Sequence, residues 1–144
     1  MTIDHPSYTG KCLCGAVHYE VNGILDDPHL CHCGQCRRQS GHFTAGVGAK
    51  RAELSVTGED KLIWYRSSSF AARGFCSACG SILFWDDGSD RVGINMGSLD
   101  QPTGLKLERH IFVEDKADYY DIDDDLPQFI GLDQPKKLTE AGSR

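Results

Sequence analysis

Seven cysteines in three clusters are the residues of this sequence best suited to chemistry. The clusters read C-L-C at residues 12–14, C-H-C-G-Q-C at residues 31–36 and C-S-A-C at residues 76–79. Zinc prefers four ligands in a tetrahedron, and closely spaced cysteines on a turn bring two thiolates to one ion at little cost in chain entropy. The C-x-x-C pairs do not sit in a βαβ pattern, which disfavours a redox motif. The clustering therefore predicts metal binding rather than disulfides.

A glycine follows each cluster or pair, at Gly15, Gly34 and Gly80. Glycine fits a turn in which backbone amides point at sulfur, because it has no Cβ in the way. We expect each of these glycines to lie in such a turn.

Spacing alone permits two ways of dividing the cysteines between metal sites. An ordinary ribbon would use Cys33, Cys36, Cys76 and Cys79 and leave three thiols scattered. The alternative combines the pairs Cys12/Cys14 and Cys76/Cys79 and leaves Cys31, Cys33 and Cys36 as neighbours, which is more economical. A four-thiolate site is chemically closed, whereas a three-thiolate site keeps the open position that catalytic zinc needs.

The elements that must position these clusters read as short strands. Period-two alternation and turn residues predict strands at residues 16–21, 43–47, 53–56, 62–65, 82–85 and 91–96. No stretch of a dozen residues has a 3.6-residue apolar stripe, so we expect a mainly β domain with helix limited to single turns near the cysteines. We expect four aromatic residues to lie in the core: Trp64, Phe75, Phe84 and Trp85.

We expect one domain over residues 8–130, followed by a polar C-terminal tail over residues 131–144. The acidic stretch from Asp118 to Asp125 contains Tyr119 and Tyr120, so we expect it to dock on the domain, with its aspartates forming a solvated face.

The composition and net charge of the chain exclude several classes of function. The chain has 144 residues, of which 40% are hydrophobic and 25% are charged, which is typical of one soluble domain. A formal net charge of −6 argues against nucleic acid as a partner, because non-specific binding needs a basic surface. No apolar run approaches the roughly 20 residues that cross a bilayer. Residues 1–5 do not resemble a signal peptide, so we expect a cytoplasmic location with reduced thiols.

The order of these motifs resembles the glutathione-dependent formaldehyde-activating enzyme (GFA) family, which includes a domain of a centromere protein. The resemblance rests on K-C-L-C-G-A-V, C-H-C-G-Q-C-R-R-Q-S-G, R-G-F-C-S-A-C-G-S, G-S-L-D and the later H-I-F-V. It covers nearly the whole chain, from about Tyr8 to Phe129.

The resemblance implies a small, zinc-stitched, β-rich domain of Mss4-like architecture with two zinc ions per chain. It implies a structural zinc held by Cys12, Cys14, Cys76 and Cys79, and a second, catalytic zinc held by Cys31, Cys33 and Cys36. The implied activity is that of a carbon–sulfur lyase acting on an adduct of a thiol and an aldehyde, such as S-hydroxymethylglutathione. A non-catalytic zinc-binding interaction module is the alternative.

Charged and ring side chains flank the middle cluster. Arg37 and Arg38 could offset the charge of the site or hold a substrate carboxylate with a forked guanidinium. Either of them could instead be an exposed or structural residue. His32 or His42 could complete the zinc shell, although a nearby histidine is often only a supporting residue. The sequence indicates no role for His5, His18, His29 or His110.

Overall fold

The structure is a computed structural model that describes residues 6–132 of the chain. The described residues form ten short strands: β1 (Ser7–Lys11), β2 (His18–Asn22), β3 (Asp26–Cys31), β4 (Thr44–Lys50), β5 (Leu54–Thr57), β6 (Leu62–Arg66), β7 (Ala72–Cys76), β8 (Ile82–Asp86), β9 (Arg91–Asn95) and β10 (Arg109–Ile111). Helix α1 spans Gly34–Ser40, and single 3-10 turns span Arg51–Glu53, Glu59–Lys61, Met96–Ser98 and Val113–Asp115. The expected mainly β fold is confirmed.

Two compact units divide the described chain. The first comprises the residues up to Asp26 together with Val47–Leu105, and the second comprises Asp27–Gly46 together with the residues from Lys106 onward. A single domain over residues 8–130 stays a prediction. Most of the predicted polar tail, residues 133–144, lies outside the described residues.

The first unit is built from antiparallel strands around an apolar core. Strand β2 pairs with β1 on one side and with β5 on the other, while β6, β7, β8 and β9 form a meander in which neighbours pair. Tyr19 and Val21 are buried and alternate with exposed residues along β2, as the period of a half-buried strand requires. They pack with Leu83, Phe84 and Ile94 of the meander.

The second unit contains a parallel strand pair and the helix. His29 and Cys31 of β3 lie opposite Arg109 and Ile111 of β10. The Arg109 guanidinium donates to both carboxylate oxygens of Asp27 at 2.8 Å. This forked ion pair joins the second residue of β3 to the first residue of β10, at the opposite end of β3 from Cys31.

Four strands were missed by the sequence prediction: β1, β3, β7 and β10. Strand β3 contains a proline and is largely buried rather than alternating, while β10 has only three residues. Helix α1 is seven residues long, about two turns rather than one. The core assignment is right for Phe84 but wrong for Trp64, which is 42% exposed on β6.

No helix within residues 6–132 has the length and apolar character needed to cross a membrane.

Two glycines with positive φ allow a matched test of the fold. Gly58 has φ +86°, and a Cβ there would lie 1.9 Å from the Ala16 carbonyl oxygen, whereas Gly88 has φ +81° and open space around it. Both replacements by alanine cost backbone strain, but only Gly58→Ala adds a clash with backbone. We predict that Gly58→Ala lowers the free energy of unfolding by roughly 1–3 kcal/mol more than Gly88→Ala does, in urea denaturation. Equal losses would contradict the packing of Gly58 on Ala16.

Candidate metal centres

The first unit gathers four sulfurs, which we call the four-cysteine group (Cys12, Cys14, Cys76 and Cys79). All four sulfurs lie within 4.8 Å of one another. Cys12 and Cys14 lie in the turn between β1 and β2, while Cys76 ends β7 and Cys79 lies in the turn to β8. The two pairs lie far apart in the sequence, and two hairpin turns bring them together in space.

Glycine completes each of these two turns. Gly15 and Gly80 have φ +82° and +81°, and their N–H groups donate to the Cys12 and Cys76 carbonyls at 3.1 and 2.7 Å. The expectation for Gly15 and Gly80 is thus confirmed. Gly34 differs, because it is the first residue of α1 and has no positive φ, but the Cys36 backbone N–H that follows it does point at the Cys33 sulfur, as expected.

The sulfur spacing fits a metal ion. The Cys14 sulfur is 3.7 Å from that of Cys12 and 3.8 Å from that of Cys76. A tetrahedron with a metal–sulfur distance of about 2.3 Å has edges of about 3.8 Å, whereas a disulfide is about 2.05 Å long. All seven cysteines are free of disulfides. The residues of this group therefore fit a tetrahedral zinc ion.

Hydrogen bonds to sulfur favour the thiolate form that binds metal. The backbone N–H groups of Val17 and Ala78 donate to the Cys12 and Cys76 sulfurs, each at 3.3 Å. Hydrogen bonds from the hydroxyl and then from the backbone of Ser81 lower the pKa of the Cys79 thiol to about 5. Because only the thiolate is a zinc ligand, these donors prepare the group for metal.

The second unit gathers the remaining sulfurs, which we call the three-cysteine group (Cys31, Cys33 and Cys36). These sulfurs also lie within 4.8 Å of one another. Cys31 ends β3, Cys33 caps the N-terminus of α1, and Cys36 lies in the first turn of that helix. Cys31 and Cys36 are buried, so the group lies at the edge of the apolar cluster that includes Ile111.

Hydrogen bonds to the Cys33 sulfur favour a thiolate at this position of the group. This sulfur accepts the Cys36 backbone N–H at 3.3 Å. Hydrogen bonds from the thiols of Cys31 and then Cys36 lower the pKa of Cys33 to about 2, and the same contacts raise the pKa of Cys31. Three thiols that share protons in this way fit a site that exchanges those protons for a divalent cation.

The structure does not bring a histidine to the three sulfurs. Both ring nitrogens of His32 are occupied, Nδ1 by the Tyr120 hydroxyl at 2.5 Å and Nε2 by His110 Nδ1 at 2.9 Å. Burial, followed by repulsion from His110, lowers the pKa of His32 to about 4, so its ring is neutral. Within residues 6–132, neither His32 nor His42 belongs to the group of ligand atoms around these sulfurs.

The two arginines after the cluster differ in their surroundings. Arg38 is exposed on α1, whereas Arg37 is half-buried. The Arg37 Nε and the His42 Nδ1 are buried atoms without a hydrogen-bond partner in the described part of the chain. Unpaired buried polar atoms are costly, which makes both of them candidates to contact a ligand.

Three residues near the three-cysteine group were not predicted from the sequence to belong to the site. His110 and Tyr120 contact His32, and Asp124 accepts a hydrogen bond from His110 Nε2 at 2.9 Å. The expected docking of the acidic stretch is observed through Tyr120 and Asp124, but Asp124 is not only a solvated residue. His110 stands in the H-I-F-V motif, which was the one available signal.

Comparison with known proteins agrees with this combination of a small mainly β fold and two cysteine groups. The family model described as glutathione-dependent formaldehyde-activating enzyme matches residues 7–115. An uncharacterized lyase of Schizosaccharomyces pombe is 34% identical over 121 residues, covering 81% of this chain and 85% of that protein. A crystal structure of a Rhodobacter sphaeroides protein has 31% identity and a TM-score of 0.55, covering 67% of this chain and 91% of that one.

The chain therefore belongs to the glutathione-dependent formaldehyde-activating enzyme family. The resemblance inferred from the motifs is confirmed. That the two cysteine groups bind zinc stays a prediction.

Replacement of an exposed cysteine can distinguish a role in metal binding from a role in core packing. Cys14 is exposed, so without a metal its replacement by serine would be nearly neutral. We predict that Cys14→Ser loses one zinc ion per chain in elemental analysis. We also predict that it lowers the free energy of unfolding by more than about 3 kcal/mol, since a structural zinc contributes on the order of 10 kcal/mol in small zinc domains.

The matched control is Leu13→Ser, because Leu13 is the 86% exposed neighbour in the same turn. It should keep the zinc content and the stability of the wild type. A Cys14→Ser protein that keeps both would show that the four-cysteine group holds no metal.

Proposed function

We propose that this chain is a zinc-dependent carbon–sulfur lyase that forms and cleaves an adduct of a thiol and an aldehyde, such as S-hydroxymethylglutathione. The observation that carries the proposal is the three-cysteine group, whose sulfurs converge without a fourth ligand atom from the described residues. Three protein ligands and one free position are the usual arrangement of catalytic zinc. The four-cysteine group would instead hold a closed, structural zinc.

The family and the relative support the same class of reaction. The family description names glutathione and formaldehyde, and the Schizosaccharomyces pombe relative carries the name of a lyase. Formaldehyde and a thiol combine when sulfur attacks the carbonyl carbon. The carbon–sulfur bond forms, the thiol loses its proton, and the carbonyl oxygen gains one. Cleavage is the reverse.

The residues of the chain would hold the reactants in place. A zinc ion held by Cys31, Cys33 and Cys36 would supply a Lewis acid and a binding position for a thiolate. Arg37 offers a buried donor that no described residue occupies, and glutathione carries carboxylates that a guanidinium can bind. Positioning of two reactants can lower a barrier by about 7–11 kcal/mol, more than deprotonation of a thiol contributes.

Exchange spectroscopy can test the proposal against the uncatalysed reaction. Thiols add to formaldehyde unaided, so the measured quantity is the rate of exchange between glutathione and its hydroxymethyl adduct with and without protein. We expect a rate that rises in proportion to protein concentration, is lost after chelation and returns with zinc. Cys33→Ser should abolish the acceleration while the four-cysteine group keeps its zinc.

A wild-type protein that carries two zinc ions but does not accelerate the exchange would contradict the proposal. That result would favour the non-catalytic zinc-binding module.

The two arginines provide a matched pair of variants. Arg37→Gln removes the half-buried guanidinium and should raise KM for glutathione roughly tenfold, the effect of losing one charged hydrogen bond. Arg38→Gln removes an exposed guanidinium of the same helix and should change KM less than about twofold. The measurement is the glutathione dependence of the exchange rate. Equal effects of the two variants would show that Arg37 does not contact the substrate.

A further inference from the structure

A chain of hydrogen bonds crosses the interior of the second unit beside the three-cysteine group. The Tyr120 hydroxyl lies 2.5 Å from His32 Nδ1, His32 Nε2 lies 2.9 Å from His110 Nδ1, and His110 Nε2 lies 2.9 Å from Asp124 Oδ1. Four side chains from two distant parts of the sequence thus form one line. The sequence indicated no role for His110, and Asp124 was expected only to lie on a solvated face.

The two histidines at the centre of this line are buried. His32 and His110 are 1% and 2% exposed, so water does not compete for their ring nitrogens. His32 stacks on the Tyr120 ring with centroids 5.6 Å apart, and Lys116 Nζ lies 4.8 Å from the centre of that ring. The far end is anchored as well, because Asp124 Oδ1 accepts the Leu126 backbone N–H at 3.0 Å.

The carboxylate determines where each proton in the line lies. Partial burial works against ionisation of Asp124, but hydrogen bonds from His110 and Leu126 prevail and lower its pKa. An ionised carboxylate only accepts, so His110 Nε2 carries a proton. In the arrangement that leaves neither ring cationic, the proton between the rings lies on His32 Nε2 and His110 Nδ1 accepts it, while His32 Nδ1 accepts from the Tyr120 hydroxyl.

In this arrangement the Tyr120 hydroxyl directs its proton at His32, and within residues 6–132 its oxygen accepts no hydrogen bond. Its partner His32 stands between Cys31 and Cys33 in the chain, and the Tyr120 ring lies 4.3 Å from the ring of His42, which follows α1. Besides His32, the described ring neighbours of Tyr120 are His42, Phe43 and Tyr119, with centroids 4.3, 5.9 and 5.5 Å away.

We propose that Tyr120 is a catalytic residue whose hydroxyl oxygen accepts a hydrogen bond from the substrate, and that Asp124 and His110 are positioning residues that act through His32. The inference rests on the proposed function. The substrate group is the hydroxyl of the thiol–aldehyde adduct, or the thiol in the opposite direction. Each carries a proton that a neutral hydroxyl oxygen can accept, and the hydrogen bond would orient that group beside the three sulfurs.

The proton positions can be measured without any substrate. We expect nitrogen NMR of the zinc-loaded wild type at pH 8 to show His32 and His110 each protonated at Nε2 and bare at Nδ1. In Asp124→Ala, the other tautomer should appear in one or both rings. A wild type with Nδ1–H in either ring, or an Asp124→Ala protein with unchanged tautomers, would overturn the positioning role of Asp124.

Adjacent tyrosines supply the kinetic test and its control. Tyr120→Phe should lower kcat/KM roughly tenfold with the zinc content unchanged, the effect of one lost hydrogen bond. Tyr119→Phe should stay within about twofold, because the Tyr119 hydroxyl is directed to the Gly41 carbonyl and its side chain is 60% exposed. Equal activity of Tyr120→Phe and the wild type would overturn the catalytic role of Tyr120.

A double-variant cycle distinguishes positioning from general damage. Asp124→Ala should lower kcat/KM in the wild type but cause little further loss in Tyr120→Phe, because both variants remove the same effect. Additive losses would contradict an action of Asp124 through Tyr120.

The two proposals fail in different ways. If the zinc-loaded wild type does not accelerate exchange, the proposed function and the catalytic role of Tyr120 are both wrong, while the tautomers still decide the role of Asp124. If the wild type is active but Tyr120→Phe is equally active, only the further inference is wrong.

Discussion

Crowded thiols impose the constraint on which the rest of this structure depends. Sulfurs 3.7–3.8 Å apart are too distant for a disulfide and repel one another once deprotonated. Protons or a metal cation must therefore lie between them. The first unit places two hairpin turns so that four sulfurs meet, and the second unit uses the end of β3 and the first turn of α1 to gather three. The distances in the four-cysteine group are those of a zinc site, and the sulfurs of the three-cysteine group lie within 4.8 Å of one another.

The surroundings of the two groups differ in a way that suits two different tasks. Backbone N–H groups and Ser81 surround the four-cysteine group, and its four sulfurs complete a tetrahedron by themselves. Three sulfurs do not, and beside them lie a buried histidine pair, a tyrosine hydroxyl and the unpaired donor of Arg37. Such buried polar groups next to three converging thiols agree with the proposed reaction of a small polar substrate.

Local patterns in the sequence predicted the cysteine groups and the alternating strands, but not the contacts that cross the second unit. Alternation identified β2 because one face of that strand is buried and the other is exposed, whereas β3 contains a proline and has no such pattern. His110 and Asp124 were missed because their significance depends on the parallel pairing of β3 with β10, which sets His110 opposite Leu30. Two strands that pair across 80 residues of sequence do not reveal that pairing in the local pattern of either strand.

X-ray absorption at the zinc edge tests the central claim most directly, because it reports both the ligand atoms and their distance from the metal. We expect a sulfur shell at about 2.3 Å with between three and four sulfurs per zinc, and a small contribution from a lighter atom at the open position. Binding of glutathione should raise the average sulfur number. A shell dominated by nitrogen or oxygen, or four sulfurs per zinc with a single zinc ion per chain, would contradict a second zinc site in the three-cysteine group.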